Sequence, residues 1–167
     1  MTDRYDKYTK FEFDRPVERV LRITLNNPKT YNSLDAVGHN QLTSIWRDLD
    51  EDPDISAVIL TGKGKAFSSG GDFGMIEATM KEETARLQAW KEARDLVYNL
   101  INCNKPIVSA INGVAVGAGL VAALLADISI AGKAAKIVDG HTRLGVAAGD
   151  CAVINWPLLC GMAKAKY

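Results

Sequence analysis

A chain of 167 residues, 47% hydrophobic and 24% charged, is long enough for one domain with a sizeable core and too short for two comfortable ones. Twenty basic residues balance twenty acidic ones, and a net charge of zero gives no footprint for nucleic acid or an acidic membrane surface. Cys103, Cys151 and Cys160 are odd in number and lack metal-ligand spacing, which points to reduced thiols in a cytoplasmic protein. The opening MTDRYDKYTKFEFDRP reads as too polar and too acidic for a secretory signal or transit peptide.

In chain order, RVLRITL (residues 19–25) alternates as a strand does, and Asn26-Asn27-Pro28 ends it. Residues 35–50 carry Leu42, Ile45, Trp46 and Leu49 on one helical face, with His39 expected on the solvated side. Asp52-Pro53-Asp54 breaks the chain before Ala57–Leu60, a continuous apolar run expected to be covered on both faces. Residues 62–71 read as a loop rich in glycine, serine and lysine. Residues 81–102 read as a long amphipathic helix through Leu87, Trp90, Ala93, Val97 and Ile101.

Lys105-Pro106 resets the chain into the strand Ile107–Ile111, and a glycine turn leads to a helix from about Gly117 to Ala126. The uncharged run from Pro106 to Ala126 has nearly the length of a membrane span. Asn112-Gly113, with Gly117 and Gly119 close behind, divides it into strand, turn and buried helix instead. Asp127–Ala131 is a further short strand, and the segment after Asp150 reads as helical as far as Pro157. Strands alternating with helices imply an α/β architecture with mainly parallel pairing.

Two turns can carry chemistry. Ala66-Phe67-Ser68-Ser69-Gly70-Gly71-Asp72-Phe73 follows a strand and precedes a short helix, so its backbone N–H groups can point into a pocket. Asp72 is placed to cap that helix. Asn112-Gly113-Val114-Ala115-Val116-Gly117-Ala118-Gly119 enters an apolar helix whose N-terminus offers unpaired donors to an oxyanion. Taken singly, either turn is equally a plain packing turn. Neither carries a Walker lysine or a dinucleotide fingerprint.

Taken together, their order and spacing resemble the crotonase, or enoyl-CoA hydratase/isomerase, superfamily. The resemblance runs from RITLNNPKTYNSLD, which matches an R-x-x-L-N-x-P-x-x-x-N-x-L pattern, through AVILTGKGKAFSSGGDF to KPIVSAINGVAVGAGLVAALLADISIAG. It implies a spiral of ββα units, with mainly parallel sheets flanked by helices. It also implies an oxyanion hole made by the N–H groups of Gly71 and Ala118, which would hold the enolate of an acyl-CoA thioester. Lys29, Thr30 and Tyr31, with Ser68, Ser69, Gly70 and Asp72, would lie near the coenzyme A portion of the substrate. No covalently bound cofactor is expected, and coenzyme A enters only with the substrate. The partners implied are the acyl-CoA and further copies of the chain, as a trimer or hexamer, without nucleic acid or membrane.

The chain departs from the resemblance at the acid–base positions. Where a hydratase of this superfamily carries two glutamates, an ungapped comparison places Val121 and His141. The stretch VDGHTRLGVAAGD (138–150) followed by VINWPLL is similar to the superfamily's β-diketone hydrolase branch, in which a His–Asp pair supports water attack and C–C cleavage. That similarity pairs His141 with Asp150, although His141 can equally be a satisfied loop histidine and Asp150 a helix cap. Arg143 reads as a surface residue, and Trp90, Tyr98 and Met75 as core. Relatives continue with a further helical block, so one core domain lacking that block is expected over residues 1–167. Three readings follow: a hydratase/isomerase-family enzyme on an acyl-CoA, a hydrolase or C–C-cleaving member using His141 and Asp150, and a non-catalytic acyl-CoA-binding or assembly subunit.

Overall fold

The structure is a computed structural model and describes residues 4–149 and 152–167. Its frame is a five-stranded sheet built from Phe11–Val17 (β1), Val20–Leu25 (β2), Ala57–Gly62 (β3), Ile107–Ile111 (β5) and Ile128–Ala131 (β7), in the order β1-β2-β3-β5-β7. β1 and β2 form an antiparallel hairpin, and every other pair in this sheet is parallel. Parallel neighbours need long crossovers, and helices supply them. Ala36–Asp50 (α1) links β2 to β3, and Glu83–Ile101 (α3) precedes β5.

α1 starts where Asp35 accepts the Gly38 N–H at 2.8 Å, and the Lys10 ammonium pairs with the same carboxylate. One helix face buries Leu42, Ile45, Trp46 and Leu49 completely against the sheet. Each such side chain contributes about 1.5–3 kcal/mol relative to exposure. From the sheet, Leu21, Ile23, Leu25, Val58, Leu60, Ile107 and Ile111 meet them. β3 departs from the sequence expectation: Val58 and Leu60 are buried, while Ala57, Ile59 and Thr61 are half-exposed. The apolar run is therefore buried on one face and half-exposed on the other.

A second, three-stranded sheet was not legible in the sequence. Ala66–Ser68 (β4), Val114–Val116 (β6) and Lys136–Val138 (β8) pair in the order β4-β6-β8, all parallel. Two asparagines tie it to the first sheet. Asn32, in the left-handed conformation, is buried and donates to the carbonyls of Lys63, Ala66 and Phe67 while accepting the Asn27 N–H. Asn112 bridges Gly62 through both its oxygen and its nitrogen, and also reaches Gly64 and Ala66.

Phe73–Lys81 (α2) follows β4, Gly117–Leu125 (α4) follows β6, and Ala152–Cys160 (α5) and Met162–Lys166 (α6) follow β8. Two expectations need correction here. α3 turns Glu92, Leu96 and Leu100 inward, whereas Leu87, Trp90, Tyr98 and Ile101 are exposed and Met75 of α2 is half-buried. His39 is buried between α1 and α3, with Nδ1 at 2.6 Å from the Glu92 carboxylate. α3 therefore packs through a stripe displaced from its most apolar one, because the His39–Glu92 contact and the Asn99 amide to the Thr43 carbonyl fix its rotation.

Candidate active site

The three parallel strands of the second sheet end side by side, and each carbonyl end carries one segment singled out in the sequence. Ligands of parallel α/β sheets gather at such ends. β4 leads to Gly70-Gly71, β6 to Gly117-Ala118, and β8 to Asp139 and His141. The register pairs Val116 with Val138, so the segment after β6 lies beside the segment after β8.

The first two ends nearly touch. Gly70 and Gly117 both take positive φ, at 86° and 56°. A Cβ on Gly117 would stand 3.1 Å from Gly70 Cα and 3.8 Å from Gly71 N. Among the described residues, the N–H groups of Gly71 and Ala118 have no acceptor, and no side chain caps α4. Ala118 lies in the first turn of α4, where orphan N–H groups and the helix dipole favour negative charge. Next along α4, Gly119 packs on Ser68 so closely that any side chain there would collide with it.

A second set of contacts fixes the Gly70-Gly71 turn from behind. The Leu34 N–H donates to the Gly70 carbonyl at 2.8 Å, and the Asp72 N–H to the Leu34 carbonyl at 2.9 Å. Asp72 caps α2 as expected, its carboxylate accepting the Met75 N–H at 2.7 Å. Ser68 is fully buried: its hydroxyl donates to the Asn32 carbonyl and accepts the Gly70 N–H. The Ser69 N–H donates to the Tyr31 carbonyl, and its hydroxyl to the Thr30 carbonyl, each at 2.9 Å. Lys29, Thr30 and Tyr31 thus run along the Ser68–Asp72 turn, with Tyr31 exposed. A polar hollow of about 230 Å³ lies beside them, lined by Lys10, Asn27, Asn32, Ser33 and Asp35 among others.

His141 belongs to the same end of the sheet. With Gly117, Leu120, Val121, Val138, Asp139, Ala152 and Trp156 it lines a cavity of about 10 Å³. Val121, at the other position where a hydratase glutamate was sought, is buried in this apolar wall. Among the described residues, an acid in contact with His141 is Asp139, which the sequence pattern did not single out. Its Oδ1 contacts His141 Nδ1 and accepts the His141 backbone N–H at 3.1 Å. Asp150 and Cys151 lie outside the described residues. Arg143 is exposed, as expected. Cys103 and Cys160 are free thiols, and burial pushes the Cys103 thiol up. Among the described residues, no cluster of His, Cys, Asp or Glu could hold a metal ion, and no helix is long and apolar enough to cross a membrane.

The profile of the enoyl-CoA hydratase/isomerase family matches residues 16–167. The chain belongs to that family. Among curated relatives, it is 34% identical over 150 residues to the 1,2-epoxyphenylacetyl-CoA isomerase of Escherichia coli K12, covering 87% of this chain and 56% of the relative. It is 37% identical over 124 residues to a probable peroxisomal enoyl-CoA hydratase of Arabidopsis thaliana, covering 74% of this chain and 45% of the relative. A crystal structure of an enoyl-CoA hydratase/isomerase from Mycobacterium paratuberculosis superposes with a TM-score of 0.91 at 34% identity. That match covers 97% of this chain and 65% of the other. The crotonase-type α/β fold is therefore present, and the chain spans about half the length of the curated relatives it matches. The sequence pattern did not single out Asp139 or the anchoring by Asn32. The second asparagine of the R-x-x-L-N-x-P-x-x-x-N-x-L pattern carried the only signal for the latter.

Proposed function

We propose that the protein acts on an acyl-CoA thioester, with the N–H groups of Gly71 and Ala118 polarising the thioester carbonyl and holding the enolate formed beside it. The observation that carries this reading is the approach of Gly70 and Gly117 at two adjacent strand ends, beside two N–H groups without acceptors. Preorganised donors of this kind stabilise developing negative charge, at about 3 kcal/mol each. The relatives named as enoyl-CoA hydratases and a CoA-ester isomerase support the substrate class.

In this reading His141 handles the proton, since Val121 cannot. One group that takes a proton and returns it suits isomerisation better than the addition of water by two acids. The His141–Asp139 contact also favours a second reading, hydrolysis or C–C cleavage with the imidazole as base towards water. A homo-oligomer acting in the cytoplasm completes the proposal. Exposed Ile128, Ile130, Val153, Ile154, Leu158 and Leu159 support the oligomer as surface in need of cover.

The test is hydrogen exchange at the α-carbon of an acyl-CoA in deuterated water, run beside hydration, isomerisation and hydrolysis assays. Exchange that is lost in Ala118→Pro and in His141→Ala supports the enolate and its base. Hydration that survives His141→Ala refutes the role of His141. Tight coenzyme A ester binding without exchange or turnover would leave a binding subunit.

A further inference from the structure

We infer that α3 is a self-association surface, along which two copies of this chain pack antiparallel about a twofold axis at Arg94. A surface helix ordinarily turns its apolar stripe to the core. α3 does the opposite: its buried residues are Glu92, Leu96 and Leu100, while Leu87, Trp90, Tyr98 and Ile101 are exposed. Rotating the helix to hide them would cost Glu92 its contact with His39 and the Asn99 amide its bond to the Thr43 carbonyl, both made across the α1–α3 contact.

Three features make a second copy the occupant. The first is position. Leu87, Trp90, Arg94, Tyr98 and Ile101 recur at helical spacing and share one face. Leu87 and Ile101 stand seven residues either side of Arg94, and Trp90 and Tyr98 stand four. Turning a second α3 end for end about Arg94 therefore sets Trp90 against Tyr98 twice and Leu87 against Ile101 twice. A contact of this symmetry is isologous, so it closes on itself.

The second is charge. Arg94 and Asp95 form an ion pair at 2.7 Å beside the axis, with the guanidinium the more exposed partner. Two copies meeting there alternate two cations with two carboxylates, so each Arg94 is offered the Asp95 of the other copy. Antiparallel helices also oppose their dipoles. The third is area. Aromatic side chains carry about 150–250 Å² each, so Trp90 and Tyr98, 74% and 56% exposed, cover roughly 600 Å² over two copies. That is about half of the roughly 1,200 Å² at which specific interfaces begin. Trp, Tyr and Arg are also the side chains that dominate binding energy at such contacts. The pairing is independent of the acyl-CoA reading.

Sedimentation velocity of the full chain over a concentration series tests this. Trp90→Glu and Tyr98→Lys, both at exposed positions, should each raise the dissociation constant about 30-fold or more, with the urea midpoint nearly unchanged. Combining Trp90→Glu with Tyr98→Lys in one chain should recover about tenfold of that loss, because the introduced charges meet across the axis. Within one chain the two positions lie about 12 Å apart along the helix, too far to compensate each other. Added salt should weaken the double variant more than the wild type. A wild-type chain that stays monomeric throughout would overturn the proposal. So would single variants that assemble as the wild type does, or a double variant no better than the singles. Binding of a monomer to phosphatidylcholine vesicles, lost in Trp90→Glu, would assign the stripe to a lipid surface instead.

Discussion

Replacing Gly119 by alanine puts a methyl carbon 2.4 Å from Ser68 Cβ and 2.6 Å from Ser68 Oγ, whereas ordinary contact begins at 3.4 Å. α4 and β4 must therefore part by about 1 Å, a displacement of the size that costs a catalytic site about 10²-fold. Ser68 cannot swing away cheaply. It is fully buried, and its hydroxyl holds the Asn32 carbonyl at 2.9 Å and the Gly70 N–H at 3.2 Å. Overpacking of this kind costs about 1–3 kcal/mol. Alanine in place of glycine within a helix returns about 1 kcal/mol, which leaves a net loss of up to about 2 kcal/mol.

Urea unfolding measures this as a lower midpoint at an unchanged slope. Because the clash is with one side chain, Ser68→Gly combined with Gly119→Ala should be at least about 1 kcal/mol more stable than the two single losses predict. Strict additivity would mean that α4 does not rest on Ser68. The argument placing Ala118 beside Gly71 would fail with it.

Ala118→Pro removes one N–H at a first-turn position where proline is tolerated. It should lower kcat for any enolate-forming reaction by about 10²–10³-fold with the urea midpoint nearly unchanged. Asn32→Ala leaves the Lys63, Ala66 and Phe67 carbonyls without their shared donor and should cost about 2 kcal/mol or more in urea unfolding. Asn32→Asp should cost more at neutral pH, because it turns a carboxylate towards those same oxygens.

Glu92 gives a pH test. Burial alone would raise its carboxyl, but hydrogen bonds from His39, Gln88 and Asn40 outweigh this and hold it below the ordinary carboxylate range. A carboxyl lowered on folding stabilises fully above its unfolded value, about 4.3, and loses that contribution as pH falls through its folded value. The stability gap between wild type and Glu92→Gln should therefore shrink as pH falls below about 4. A gap that widens in acid would contradict the pairing.

The longer elements were legible because each repeats its pattern over enough residues to be seen. The α1 face spans Leu42 to Leu49, and β2, β3 and β5 carry five or six residues each. β4, β6 and β8 carry three residues each, too few for alternation to be told from chance. β4 is held by side-chain hydrogen bonds from Asn32 and Asn112, and a sequence pattern registers the asparagines without their acceptors. The α3 face was misread for a related reason. Apolar spacing favoured Trp90 and Ile101, while a buried polar contact between Glu92 and His39 decided the rotation.

Asp139 escaped notice because it stands two positions from His141, where adjacency in sequence usually reflects a turn and not a pair. The geometry of a strand end changes the expectation. A residue leaving a strand and one opening a 3-10 turn can meet across two positions, since the chain reverses between them and brings backbone N–H and ring to one carboxylate oxygen. At the other two strand ends a glycine with positive φ follows each strand, so backbone N–H groups rather than side chains face the site. The second sheet thus presents two backbone donors at neighbouring ends and an imidazole with its acid at the third. In the proposed reading, this division separates charge stabilisation from proton transfer. Moving the imidazole should then change the fate of the enolate while leaving its formation dependent on Gly71 and Ala118.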